Sequence, residues 1–222
     1  MNSYSKKNKI CAVIPFYNEH NSIKEIVNQT LSFVDFVIAV NDGSTDGSIN
    51  AVPQSENVIL LSFKQNSGKG FALKAGFEKS ISLNTDYTIT LDADLQHPPE
   101  IIPKLISELA VYDIVIGNRL RNISAMPLQR IASNKITSFL LSFKTKIKLL
   151  DTQCGFRAFK TDILKYILPS FNGYEAESEI LVKAAKKNYK IGFIDIPTIY
   201  GNEQSKMKSF QAIYGFLRVL FN

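Results

Sequence analysis

The sequence predicts an α/β fold, an open and mostly parallel sheet with helices on both faces. Three observations predict it. Wholly apolar runs, such as Ile10-Cys11-Ala12-Val13-Ile14-Pro15 and Phe36-Val37-Ile38-Ala39-Val40, have the pattern of strands buried on both sides. Strand, loop and helix alternate three times before residue 92 and once more after it. Every polar cluster in that stretch falls at the carboxyl end of a strand, where sheets of this kind bind ligands. With 222 residues, 45% of them hydrophobic, the chain is sized for one large domain spanning 1–222.

Taken in order, the first strand ends at Pro15, and Phe16-Tyr17-Asn18-Glu19 lies just beyond it. Ser22 and Glu25 have the spacing of a capping box, opening a helix that puts Ile23, Ile26, Val27 and Leu31 on one face. The second strand runs into Asn41-Asp42-Gly43-Ser44-Thr45-Asp46-Gly47, a string of turn formers. A short helix and a third strand, Val58 to Leu61, follow. Asn66-Ser67-Gly68-Lys69-Gly70 then leads into a helix over about 71–80. The fourth strand, Tyr87 to Leu91, ends in Asp92-Ala93-Asp94-Leu95-Gln96-His97, and Pro98-Pro99 starts the next helix. A fifth strand covers 113–117. Beyond Arg119 the spacing predicts an irregular stretch over 121–128 and helices over 129–146, 161–168 and 176–188. It also predicts a loop with a short strand over 151–159, and a further strand over 191–196. The tail, 210–221, places Phe210, Ile213, Tyr214, Leu217 and Leu220 on one face of an amphipathic helix.

Composition narrows the class. A net charge of +6 suits contact with phosphates or an anionic membrane but is too diffuse for nucleic acid. Two cysteines, Cys11 in a strand and Cys154 in a loop, read as reduced thiols of a cytoplasmic protein. The polar, basic start is not a signal peptide, and no apolar run approaches the roughly 20 residues of a bilayer span. The expectation is a cytoplasmic protein, peripheral at most.

The acid pair dominates the chemistry. Asp92 and Asp94, one residue apart at a strand end, repel each other unless a cation lies between them. Mg²⁺ or Mn²⁺, which prefer a few carboxylates together with substrate phosphates, resolve the repulsion. Helix or turn capping is the competing reading. Gly68-Lys69-Gly70 has neither Walker A nor G-x-G-x-x-G spacing; Lys69 faces a phosphate or simply water. Asp42 either accepts from a nucleotide or serves its turn, and Asp46 caps the next helix. Arg119 and Arg130 suit phosphate or surface carboxylates. Glu177 and Glu179 offer a general base or a structural ion pair near a helix start. His97 and His20 lack zinc spacing, and His97 reads as a turn residue.

As an ordered set, Val13 to Glu19, Asn41 to Asp46, Gly68-Lys69-Gly70, Asp92 to Glu100, Gly117-Asn118-Arg119, Asp151 to Arg157 and Ser205-Lys206-Met207 resemble family 2 glycosyltransferases. The similarity is greatest to the dolichyl- or polyprenyl-phosphate sugar synthases. It implies a GT-A fold, with a nucleotide-sugar-binding half over about 10–118 and an acceptor-binding half and tail over about 119–222. It implies inverting transfer from a UDP- or GDP-sugar to a polyprenyl phosphate, at the cytoplasmic face of a membrane or beside a membrane-protein partner. Carried over by position, Pro15, Tyr17, Glu19 and Asp42 hold the nucleoside, while Lys69, Asp92 and Ala93 complete the donor site. Asp92, Asp94 and Gln96 surround Mg²⁺ or Mn²⁺; Arg119, Arg130 and Lys206 recognise the acceptor phosphate. Asp94, Arg119 and Glu179 carry the catalysis.

Asn41 stands where many relatives have aspartate. The segment Tyr200 to Lys206 lacks the arginines of dolichyl-phosphate mannose synthases and is more similar to bacterial polyprenyl-phosphate sugar transferases. Within these 222 residues the sequence predicts no C-terminal transmembrane hairpin of the kind many relatives carry. A sugar hydroxyl as acceptor is the alternative, and it requires a carboxylate base. A sugar-1-phosphate nucleotidyltransferase is disfavoured, because Phe16-Tyr17-Asn18-Glu19 replaces the glycine- and arginine-rich loop which that class needs after the first strand. A non-catalytic nucleotide-sugar-binding module is disfavoured by the intact acid pair.

Overall fold

The computed structural model describes residues 8–121, 126–197, 199 and 209–221, with side chains from 213 onward in the last segment. In chain order the elements are β1 (Ile10–Phe16), α1 (Ile23–Leu31), β2 (Phe36–Asp42), α2 (Ser48–Ala51), β3 (Val58–Phe63), α3 (Lys69–Ser82), β4 (Tyr87–Thr90) and α4 (Ile102–Glu108). They continue as β5 (Ile114–Asn118), α5 (Leu128–Thr145), β6 (Arg157–Lys160), α6 (Leu164–Ile167), α7 (Ala176–Lys186), β7 (Ile191–Asp195) and α8 (Ser209–Phe221). Single 3-10 turns at Pro99–Ile101 and Thr161–Ile163 precede α4 and α6.

The strands form one seven-stranded sheet in the order β3-β2-β1-β4-β6-β5-β7. β1 pairs in parallel with β2 and β4, β2 with β3, and β5 with β7. β6 runs antiparallel to both neighbours, β4 and β5. A strand from the later half of the chain is thus built into the middle of the sheet, and the sheet is continuous through both halves.

The apolar runs explain the layers. Cys11 to Ile14 and Val37 to Val40 are all fully buried. Successive residues of a strand point to opposite faces, so both faces of β1 and β2 are covered. α3 packs on β1 and β2, and α4 on β5 and β6. Phe77 of α3 meets Phe159 of β6 edge to face, ring centroids 5.4 Å apart. Beside that pair, Ser80, Thr85, Thr88 and Thr161 join their hydroxyls in a buried cluster tying α3, β4 and the end of β6 together.

Two local expectations are corrected. Ser22 sits in helical backbone with no side-chain bond into α1; its hydroxyl donates to Glu19 Oε2 at 3.1 Å, so no capping box forms. α8 is apolar on two faces, not one: Val219 is buried, while Ile213, Tyr214 and Leu217 of the expected apolar face are exposed. Phe210 lies outside the described side chains. The thiols of Cys11 and Cys154 are free and buried, and burial pushes both up to about 12.

Phe77→Ala removes a fully buried ring that joins a helix to the inserted strand. We expect it to cost about 3–5 kcal/mol, read as a lower midpoint in urea unfolding.

Candidate active site

Among the described residues, the polar loops after β1, β2, β3 and β4 gather with the start of α7 at the carboxyl end of the sheet, and several are stitched to one another. After β1, Asn18 takes a positive φ of 55°, its amide donates to Ser44 Oγ, and its Oδ1 accepts from the Thr45 amide. The Glu19 amide donates to Ser48 Oγ, while Asp46, one residue before the Gly47 N-cap, accepts from both the amide and the hydroxyl of Ser48 at the start of α2. Pro15 and Glu19 are partly exposed here, and Tyr17 more so. Asn41 donates through Nδ2 to Ser62 Oγ and accepts the Ser44 amide at Oδ1.

Asp42 is buried, and its two carboxylate oxygens accept the amides of Ser67 and Gly68, each at 2.8 Å. It therefore clamps the loop that precedes α3. Gly68 has φ 107°, and a Cβ there would stand 2.3 Å from Asn172 O, so only glycine fits. The same Asn172 carbonyl accepts the Gly70 amide at 2.7 Å. Lys69, the first residue of α3, is held from both sides by its main chain.

Its ammonium reaches two carboxylates, Asp92 Oδ1 at 2.6 Å and Glu177 Oε1 at 3.0 Å. The side chains of Lys69 and Glu177 are nearly buried, and that of Asp92 is partly exposed. Burial works against the lysine charge, yet Asp92 and then Glu177 outweigh it and hold the ammonium above the usual lysine range. Burial likewise works against the Asp92 carboxylate, and Lys69 overcomes it, so Asp92 stays below its usual range. Asp92 lies against Gly155, where a Cβ would meet its Oδ2 at 2.5 Å. Two residues on, the Gln96 amide donates to Asp94 Oδ1 at 3.1 Å across Leu95, which has φ 60°. Ala93, between the acids, is buried.

Arg119 forms a two-pronged pair with Asp151, Nε to Oδ2 at 2.8 Å and Nη2 to Oδ1 at 2.9 Å, and its amide also reaches Oδ2. Asn134 of α5 adds a bond at 2.7 Å. Burial pushes the Asp151 carboxyl up, but Arg119 and Asn134 more than reverse this and lower it. Arg130 is exposed in the first turn of α5, and Lys206 lies outside the described residues.

Three findings depart from expectation. The carboxylate beside Asp92 is that of Glu177. Glu179 instead accepts the Ser170 and Phe171 amides and pairs with Lys183 at 2.9 Å, so the catalytic role expected of it has no geometric support. Two residues on a helix lie roughly 200° apart, so only one of the two can face the site. His97 lies in a bend before Pro98, as expected, but its ring is a core group, buried and stacked on Phe156 with its Nδ1 unpartnered. Arg157 is 1% exposed and donates to the carbonyls of Cys154, Glu177 and Thr152. It fastens the start of α7 to the 152–154 loop. Its signal in the sequence is a lone cation within Phe156-Arg157-Ala158-Phe159.

Asp92, Asp94 and Gln96 offer hard oxygen donors of the kind Mg²⁺ and Mn²⁺ take. No group of three or more His, Cys, Asp or Glu gathers for a metal ion among the described residues. The set thus fits an ion that completes its shell with phosphate and water, not one caged by protein.

The mixed seven-stranded sheet with helices on its faces is of the GT-A class of fold. The chain belongs to glycosyl transferase family 2, whose family model matches residues 11–168, and it is a glycosyltransferase. It is 32% identical, over 93% of its length and 92% of the relative's, to the UDP-N-acetylglucosamine–dolichyl-phosphate N-acetylglucosaminyltransferase of Methanococcus voltae. It is 30% identical to the undecaprenyl-phosphate 4-deoxy-4-formamido-L-arabinose transferase of Proteus mirabilis, over 99% of this chain and 70% of that one. Among solved structures it is similar in fold to glucosyl-3-phosphoglycerate synthase from Mycobacterium tuberculosis in complex with Mn²⁺, UDP and phosphoglyceric acid. That similarity has a TM-score of 0.72 at 18% identity, over 96% of this chain and 78% of the other.

His97 provides a pH test of this packing. Burial, reinforced by Arg119, pushes it down to about 4 from 6.5. Between those values the unfolded chain binds the extra proton, so stability falls as pH drops from about 7 towards 4, by on the order of 3 kcal/mol at most. We expect His97→Phe to show a smaller drop in urea midpoint between pH 7 and pH 5 than the parent protein.

Proposed function

We propose that this glycosyltransferase moves a sugar, with inversion, from a UDP- or GDP-sugar to a polyprenyl phosphate with the help of Mg²⁺ or Mn²⁺. The observation that carries the reading is the convergence of Asp92, Asp94, Lys69, Glu177 and Arg119 at one sheet edge. The acceptor class is supported by relatives, similar over 92% and 70% of their lengths, whose names specify dolichyl or undecaprenyl phosphate.

In this reading Pro15, Tyr17 and Glu19 line the nucleoside and Asp42 fixes the loop beneath it. Asp92, Asp94 and Gln96 hold the divalent ion, which supplies positive charge to the diphosphate. The chain's own part is electrostatic. Negative charge builds on the leaving diphosphate as the anomeric bond breaks, and the Lys69 ammonium beside Asp92 adds a nearby positive charge that lowers that cost. Arg119, kept oriented by Asp151, is the cation this reading gives to the acceptor phosphate; Arg130, exposed in the first turn of α5, and Lys206, outside the described residues, are assigned to it by sequence position alone. A phosphate oxyanion is already a nucleophile, so no general base is needed. A sugar hydroxyl needs one. Glu177 is committed to Lys69, and Glu179 to two amides and Lys183, which favours the phosphate acceptor.

Peripheral membrane contact belongs to the same reading. On α5, Leu128, Ile136, Phe139 and Phe143 are exposed along one face; on α8, so are Ile213, Tyr214, Leu217 and Phe221. Residues 128–150 contain no acid, and Arg130, Lys135, Lys146 and Lys148 are exposed among them. An apolar stripe edged by cations suits an anionic lipid surface. No helix among the described residues is long and apolar enough to cross a membrane.

Incubation with a panel of UDP- and GDP-sugars should release nucleoside diphosphate only when a polyprenyl phosphate and Mg²⁺ or Mn²⁺ are both present. Asp94→Asn should slow release by about 10²-fold or more while the protein still unfolds cooperatively. Release that ignores the lipid overturns the acceptor assignment. For the surface, the double variant Phe139→Glu, Phe143→Glu should lose flotation with anionic liposomes without change in urea midpoint. Undiminished flotation rules this face out.

A further inference from the structure

Lys69 stands between two carboxylates. The Asp92 carboxylate lies against Gly155, and the Glu177 main-chain carbonyl is tied by the buried Arg157 at 2.8 Å. The lysine backbone is pinned on one side through Gly68 to Asp42 and on the other through Gly70 to Asn172. The longest flexible stem in this triad is the four-carbon one of Lys69. Its ammonium occupies Asp92 Oδ1 at 2.6 Å, closer than it approaches Glu177. Mg²⁺ takes carboxylate oxygens at about 2.0–2.1 Å, so it needs the same space. A divalent ion and an ammonium on one oxygen in a poorly solvated site repel each other strongly.

We propose that Lys69 is an exchangeable counter-ion. It satisfies Asp92 while the site is empty and yields that carboxylate to the incoming divalent cation by resting on Glu177. The inference depends on the reading that Asp92 receives such a cation and adds how its entry is controlled. Free cation binds weakly because it must displace the lysine. Cation arriving with a nucleoside diphosphate binds well because the phosphates offset the crowded positive charge. Glu177 is then a positioning residue: it keeps the displaced ammonium charged and close.

The test is a titration of the purified protein with Mn²⁺ followed by electron paramagnetic resonance, without nucleotide and with UDP or GDP. Lys69→Met keeps the stem and removes the charge. It should tighten nucleotide-free Mn²⁺ binding by about tenfold or more, and Lys69→Gln serves equally if the methionine variant does not fold. Glu177→Gln should weaken nucleotide-free binding in the parent protein and have little effect in the Lys69→Met background. Unchanged or weaker Mn²⁺ binding in both lysine variants overturns the proposal. So does an equal effect of Glu177→Gln in the two backgrounds, which would make Glu177 act on the ion directly. Absence of Mn²⁺ binding to the parent protein even with nucleotide would instead overturn the underlying metal reading.

Discussion

One ammonium shared by two carboxylates from distant parts of the chain is the constraint around which this edge of the sheet is built. Asp92 follows β4, Lys69 opens α3 and Glu177 lies in the first turn of α7. Like charges gathered this way are tolerable only with the cation in place, and a nearly buried cation is tolerable only with its partners. The surroundings therefore fix all three positions. Asp42 clamps the loop before Lys69, Asn172 the turn after it, and Arg157 the backbone of Glu177. The fold spends much of its polar bonding at this edge on keeping three side chains in register.

A second charged unit, Arg119 with Asp151 and Asn134, connects the site to the periphery. Asn134 is on the inner face of α5, whose buried side also carries Ile131, Ser138 and Leu141, while the opposite side presents Phe139 and Phe143 outward. α8 is attached to the same region. Lys144 donates to the Leu220 carbonyl, and Arg218 lies 4.4 Å from the centre of the Phe171 ring, next to the Asn172 that anchors α3. The apolar stripe on α5 thus lies on the side of that helix away from Asn134, and α8 is held beside its far end through Lys144.

Much of this was legible in the residues. Apolar runs marked β1 and β2 because strands covered on both faces need no alternation, and the acid pair sat at a strand end as expected. What the sequence could not resolve depended on facing and on long-range contact. Glu177 and Glu179 are equivalent as text, and only the angle of α7 decides which meets Lys69. The Ser22–Glu25 spacing was right for a cap, but Ser22 bonds to Glu19, a competitor three residues upstream. His97 looked like punctuation before two prolines, and it is a ring packed on Phe156 from a loop far along the chain. α8 read as one-sided because its second apolar face, through Phe216 and Val219, becomes visible only when α7 and α5 pack on it.

The antiparallel insertion of β6 has a consequence for how the molecule comes into being. β1, β2, β3 and β4 can assemble in the order they leave the ribosome, each beside an earlier neighbour. β5 cannot, since both of its partners, β6 and β7, are synthesised after it. Until they emerge, Ile114 to Asn118 is a nascent segment with two bare edges, open to wrong pairing and to chaperones. Pairings between strands so far apart in the chain form more slowly than local ones, so the β6-β5-β7 part of the sheet is the last to be completed.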